Sequence, residues 1–109
     1  MTDLIQRIVV AIFRQEGMSQ EYVNPGNLRS APWLSDPVIH NGFWVPVSRN
    51  EGIAGAVHVV ALHIAMGHTL TQLIYSWAPP SENKTSTYLH DIKDWAKISD
   101  EHVPLWNYL

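Results

Sequence analysis

Three glutamates in this chain could act as acids: Glu16, Glu51 and Glu82. Glu16 closes an apolar segment and is followed by glycine. A helix ending there would surround its carboxyl with unpaired carbonyls, which disfavour negative charge. Apolar neighbours would push in the same direction by desolvation. A carboxylic acid kept protonated near neutral pH can protonate a leaving oxygen. The plainer alternative for Glu16 is a solvated side chain on a fraying helix end. Glu51 fits the fourth position of a capping box, Ser48-Arg49-Asn50-Glu51, where it would reach back to the cap amide. Glu82 follows two prolines and stands beside Asn83 and Thr85, in the kind of loop that often carries function but more often holds a solvated carboxylate.

The six histidines do not suggest a metal site. His58 and His63 are five apart, which turns them onto different faces of a helix, whereas the zincin pattern needs a spacing of four with a glutamate between. One buried, hydrogen-bonded histidine and one exposed histidine is the expectation. The chain has no cysteine, so thiolate nucleophiles, disulfides and cysteine-based zinc sites are excluded. Phosphate loops, nucleophile elbows and dinucleotide fingerprints are missing from the sequence. No metal or cofactor is implied. Five tryptophans serve a core first, although a tryptophan beside a cleft also stacks on sugar rings.

The elements that must position these groups are legible as periodicity and punctuation. Leu4, Ile5, Ile8, Val9, Ile12 and Phe13 share one helical face, with Thr2 or Asp3 as cap and Gly17 as the left-handed stop. Asn24-Pro25-Gly26-Asn27 is a turn in which proline presets the first dihedral and Gly26 takes the positive φ. Residues 28–33 and 42–47 are expected to be two short strands of a small hairpin lobe, Pro46 confining the second to an edge. A helix follows from Ser48 to about Met66, stopping at Gly67. Thr69-Leu70-Thr71-Gln72 is a second capping box, opening a short helix that Ala78-Pro79-Pro80 ends. Residues 81–85 are expected to be loop, with a further helix from about Thr87 through Trp95 and a last turn near Ser99-Asp100-Glu101. The fold class is α+β, mainly helical: one helix ending at Glu16, a β-hairpin lobe, then three or four helices in a single domain over 1–109.

Bulk properties exclude several functions. At 109 residues the chain matches one domain that buries about two-thirds of its unfolded surface. A net charge of −3, with its seven lysines and arginines scattered, leaves no basic stripe for nucleic acid. With 16% charged residues and five tryptophans it is not a disordered chain. No apolar run approaches the roughly 20 residues that span a bilayer. The N-terminus lacks a basic head and apolar core, so cytoplasmic synthesis without a signal peptide is the expectation, with delivery by another system if the protein works outside.

Three stretches in combination resemble a small lysozyme-like family found in phage and prophage virion proteins. They are Arg14-Gln15-Glu16-Gly17 with Asn24-Pro25-Gly26-Asn27-Leu28-Arg29; Glu51-Gly52-Ile53-Ala54 leading to Gly67-His68-Thr69-Leu70; and Trp77-Ala78-Pro79-Pro80 with Glu82-Asn83-Lys84-Thr85-Ser86-Thr87-Tyr88. The resemblance runs from about residue 8 to 98. It implies a lysozyme-like, lytic-transglycosylase-like fold with Glu16 as general acid against the glycosidic oxygen after N-acetylmuramic acid in peptidoglycan. Asn27, Asn83, Thr85 and Tyr88 would bind the substrate. A transglycosylase needs one glutamate; a hydrolase (muramidase) usually needs a second carboxylate, for which Glu51 and Glu82 are the candidates. Separations of roughly 5–5.5 Å or 6.5–9.5 Å would indicate retention or inversion. The chain is short for a free-standing lysozyme, which implies a shallow cleft. Some members of such families are structural virion components, so the alternative is a non-catalytic virion or cell-wall-binding module, located in the virion, the periplasm or the cell wall and partnered by other virion proteins. A third alternative is an assembly domain with an exposed aromatic patch around Trp106 and Tyr108.

Overall fold

A computed structural model describes residues 3–17 and 23–109. Thr2, one of the two expected caps, lies outside the described residues. Helix α1 spans Asp3–Glu16 and buries Leu4, Ile8, Val9, Ala11 and Ile12, the stripe expected from the spacing, with Ile5 and Phe13 packed at its margin. Asp3 in the first turn pairs with Arg7 at 2.9 Å, and Arg14 in the last turn lays its guanidinium 4.1 Å from the centre of the Trp95 ring. Both charges complement the helix dipole. Gly17 adopts φ 64° and donates its N–H to the Phe13 carbonyl at 3.1 Å, which stops the helix immediately after Glu16.

Helix α2 spans Arg49–Ala65. Of the two bonds of a capping box it forms the Ser48 one, in which the hydroxyl accepts from the Glu51 N–H at 3.2 Å. Gly67, at φ 76°, ends it. Helix α3, Leu70–Trp77, opens on a complete box: Thr69 Oγ1 accepts from Gln72 N at 3.1 Å, and Gln72 Oε1 accepts from Thr69 N at 2.8 Å. Helix α4 spans Thr85–Trp95. It starts earlier than its apolar period suggests, because Thr85 is buried and its hydroxyl donates to the Ala78 carbonyl at 2.6 Å, fixing the first residue of the helix. The last regular element is a 3₁₀ turn at Leu105–Tyr108, after Pro104 rather than before it. Ser99 and Asp100 instead hold the Tyr108 hydroxyl, which accepts from Asp100 N at 2.7 Å.

The β element departs from expectation. Residues 28–33 form no strand. The antiparallel pair is β1, Ile39–His40, with β2, Phe43–Trp44, in the register Ile39 to Trp44 and His40 to Phe43. Asn41 and Gly42, at φ 51° and 81°, make the two-residue hairpin turn, the type whose twist matches its strands. The expected partner keeps one bond, from Trp44 N to the Leu28 carbonyl at 3.0 Å. In the 24–27 turn the positive φ falls on Asn27, at 53°, not on Gly26. Glycine is required at 26 for space: a Cβ there would lie 2.9 Å from the Trp77 ring.

The core joins the buried face of α1 to Ala56 and Val60 of α2, Leu73 and Ile74 of α3, and Tyr88, Leu89 and Ile92 of α4. The mainly helical α+β class expected from the sequence is the class observed. Among the described residues no helix is long and apolar enough to cross a membrane.

Two glycine substitutions separate close approach from backbone conformation. A Cβ on Gly52 would lie 1.8 Å from the Val23 carbonyl oxygen, so Gly52→Ala should cost about 3 kcal/mol or more in chemical denaturation. Gly17→Ala, with open space around its Cβ but a left-handed φ, should cost only about 1–2 kcal/mol.

Candidate functional site

Glu16 reaches a cleft of about 540 Å³ because α1 ends there, with Gly17 in the left-handed conformation. The cleft lies between the lobe that carries the 24–28 turn and β2 on one side, and α2, α3 and the loop after Pro79 on the other. Tyr88, in the second turn of α4, sits behind the acid and donates its hydroxyl to Glu16 Oε1 at 3.3 Å. Burial raises the Glu16 carboxyl above the ordinary glutamate range, and the Tyr88 bond pulls partly against it by favouring the anion. Burial, the nearby Glu16 charge and the same hydrogen bond all raise the Tyr88 phenol, so it remains a donor at every physiological pH.

The lobe is fixed by one buried amide. Asn24, 1% exposed, donates from Nδ2 to the carbonyls of Leu28 at 2.8 Å and Trp44 at 3.0 Å, and accepts from Leu28 N at 3.0 Å. Trp77 locks the same turn to the helical body through Nε1, which donates to the Gly26 carbonyl at 2.9 Å. These bonds carry Asn27 and Arg29 into the cleft wall. Arg29 lies 4.4 Å over the Phe43 ring and pairs with Glu82 at 3.0 Å. Trp33 meets Trp44 edge-on at 5.5 Å and His58 at 4.8 Å, and it lines the cleft.

The three candidate acids therefore separate. Glu16 and Glu82 line the cleft; Glu51 does not, standing in the first turn of α2 over the Ser48 cap. Glu82 is held by Arg29. Asn27 and Asn83 are at the cleft, Asn83 donating weakly to the Pro79 carbonyl at 3.4 Å. Thr85, expected to bind the substrate, is buried and committed to Ala78, and Tyr88, expected to do the same, stands behind Glu16 rather than on the lining.

No protein-family model matches the chain, and comparison with curated proteins and with solved structures returns no match.

Several cleft residues were not singled out by sequence reasoning as site residues. Arg29 closes the Asn-Pro-Gly-Asn-Leu-Arg block, and its position right after a strong turn is the available signal. Trp33 and Trp77 are among the five tryptophans that the sequence assigns first to the core, and Phe43 enters there only within the expected strand 42–47. His63 also lines the cleft: it is buried, with Nδ1 2.8 Å from Nδ1 of His68, while His58 is exposed. Such a pair needs one N–H and one lone pair between the rings, so it does not accept two protons there. Burial, and then the His68 charge, lower the His63 value accordingly. Among the described residues, no three histidine, aspartate or glutamate side chains gather as a metal site would need.

Chemically, the cleft offers one half-buried acid that resists ionisation, flat aromatic surfaces and side-chain amides. Because the folded Glu16 binds its proton more tightly than the unfolded one does, its contribution to folding stability is present below the unfolded value and is lost as pH rises through the folded one. Glu16→Gln should thus raise the melting temperature at about pH 7 and change it little at about pH 4. In Tyr88→Phe the Glu16 value should rise further, followed by carboxyl-carbon NMR titration.

Proposed function

We propose that this protein cleaves the glycan strand of peptidoglycan, with Glu16 as general acid. One observation carries this: a single half-buried carboxyl with a raised proton affinity, at the end of a helix, faces an aromatic-lined cleft. That is the environment a group needs to donate a proton to a glycosidic oxygen near neutral pH. The lysozyme-like pattern of the sequence points to the bond after N-acetylmuramic acid. Tyr88 would keep the acid oriented while its partner oxygen faces the substrate, and Asn27 and Asn83 would hydrogen-bond the sugar.

The lytic transglycosylase route suits the site better than hydrolysis. After protonating the leaving oxygen, the Glu16 carboxylate would accept the proton of the muramyl 6-hydroxyl as that oxygen closes on C1, leaving a 1,6-anhydro ring. No water-activating carboxylate is then required. Of the candidates for such a group, Glu51 is off the cleft and Glu82 is engaged by Arg29. A virion or cell-wall location, with delivery by another system, belongs to the same proposal.

Digestion of purified peptidoglycan, with mass analysis of the soluble products, tests it. Anhydro-muropeptides should appear with the unaltered protein and fall about 100-fold to 10,000-fold in rate with Glu16→Gln. Reducing muramyl ends would make it a hydrolase. Binding without release, by both proteins, would leave a non-catalytic wall-binding module.

A further inference from the structure

The net charge of the chain is −3, yet peptidoglycan is itself anionic, through the carboxylates of its peptide stems and, where a stem has been removed, of its lactyl groups. A cleft that favours it over a neutral amino-sugar polymer needs a local cation. Among the described residues, Arg29 is the one lysine or arginine that lines the cleft. Its guanidinium is already oriented: it lies 4.4 Å over the Phe43 ring, and Nη1 approaches the Gly42 carbonyl at 3.5 Å. Those contacts leave the planar fork prepared for a carboxylate, the anion it matches best.

That fork holds a carboxylate in this structure, and it belongs to the protein. Glu82 Oε1 is 3.0 Å from Nη2. The two side chains come from different walls of the cleft, Arg29 from the lobe and Glu82 from the loop between α3 and α4. About half of each is exposed, 52% for Arg29 and 42% for Glu82. An ion pair so open to water gains little over its separated, hydrated partners, so exchange of one carboxylate for another is cheap. Glu82 could swing into solvent without disturbing Arg29, because Phe43 and Gly42 keep the guanidinium in place.

We infer that Arg29 recognises a carboxylate substituent of the saccharide, and that Glu82 occupies that position until the substrate displaces it. The pair sets specificity for acidic glycans and takes no part in bond cleavage. Glu82 is then neither a second catalytic acid nor a passive loop residue; it is an internal competitor. The inference rests on the proposed saccharide-binding function.

Two tetrasaccharides isolate the interaction: alternating N-acetylglucosamine and N-acetylmuramic acid with free lactyl carboxylates, and the all-N-acetylglucosamine tetramer, which lacks them. Binding is measured by calorimetry in the Glu16→Gln background, so that the ligands stay intact. Arg29→Gln should weaken the acidic tetramer about tenfold or more and change the neutral one less than about twofold. Glu82→Gln should tighten the acidic tetramer several-fold, leave the neutral one unchanged, and retain its loss of affinity with added salt. Both substitutions are at half-exposed side chains, and matching thermal unfolding curves will show that the fold is kept. Equal effects on the two tetramers, or weaker acidic binding by Glu82→Gln, would overturn the inference while leaving the saccharide function standing. If neither tetramer binds the Glu16→Gln protein, the inference and the saccharide function both fall.

Discussion

Asn24 is the residue on which the geometry of the cleft depends. The lobe opposite the helices has only two paired residues in each strand, too little sheet to define a shape. Its backbone polar groups must still be satisfied where they are buried. A single amide with one acceptor and two donor hydrogens does this for Leu28 and Trp44 together. The turn thereby acquires a fixed distance to β2. Trp77 and the bare Cα of Gly52 then fasten the lobe to α3 and α2, the first by a hydrogen bond to Gly26 and the second by letting the Val23 carbonyl approach. Asn27, Arg29 and Phe43 take their places in the wall as a consequence.

Two carboxylates in one cleft are given opposite environments. Glu16 meets apolar surroundings, which favour the protonated form, and a phenol whose hydrogen bond offsets that only in part. Glu82 meets a guanidinium in partly open solvent. Neighbouring carboxyls pushed apart in this way can take different roles, one giving a proton and the other serving charge. The proposed division, Glu16 for chemistry and Glu82 for selectivity, follows from what each touches. The paired imidazoles of His63 and His68 add a third polar group to the cleft, buried at the end of α2 and held by a neighbour that the five-residue spacing and the Gly67 stop bring within reach.

Much of the fold could be read from local chemistry. The α1 stripe, its end at Glu16, the Gly17 and Gly67 stops, the Thr69 box and the double proline are interactions within a few residues, and each stands where the sequence puts it. The hairpin lies outside the expected strand pairing for an equally local reason. Asn41-Gly42 is a two-residue turn signal that pairs its immediate neighbours, Ile39–His40 with Phe43–Trp44, and leaves residues 28–33 without a strand partner. At Asn24-Pro25-Gly26-Asn27 the turn was legible, while the reason for its glycine was not. Trp77 lies 51 residues away, and nothing in a four-residue turn reveals it.

By itself the sequence determined the bounds of the first three helices, the Gly17 and Gly67 stops, the Thr69 cap, the α+β class, and the placing of a glutamate at a helix end. Helical period and capping are satisfied between residues three or four apart, so the chain declares them without a tertiary structure. Only the tertiary structure decided which carboxylates share a cleft, that Thr85 is buried against Ala78, and that Arg29 meets Glu82 over Phe43. The same holds for the contact between Tyr88 and Glu16, 72 residues apart. Burial and long-range pairing set the proton affinity of an acid, and both arise when separate elements pack together.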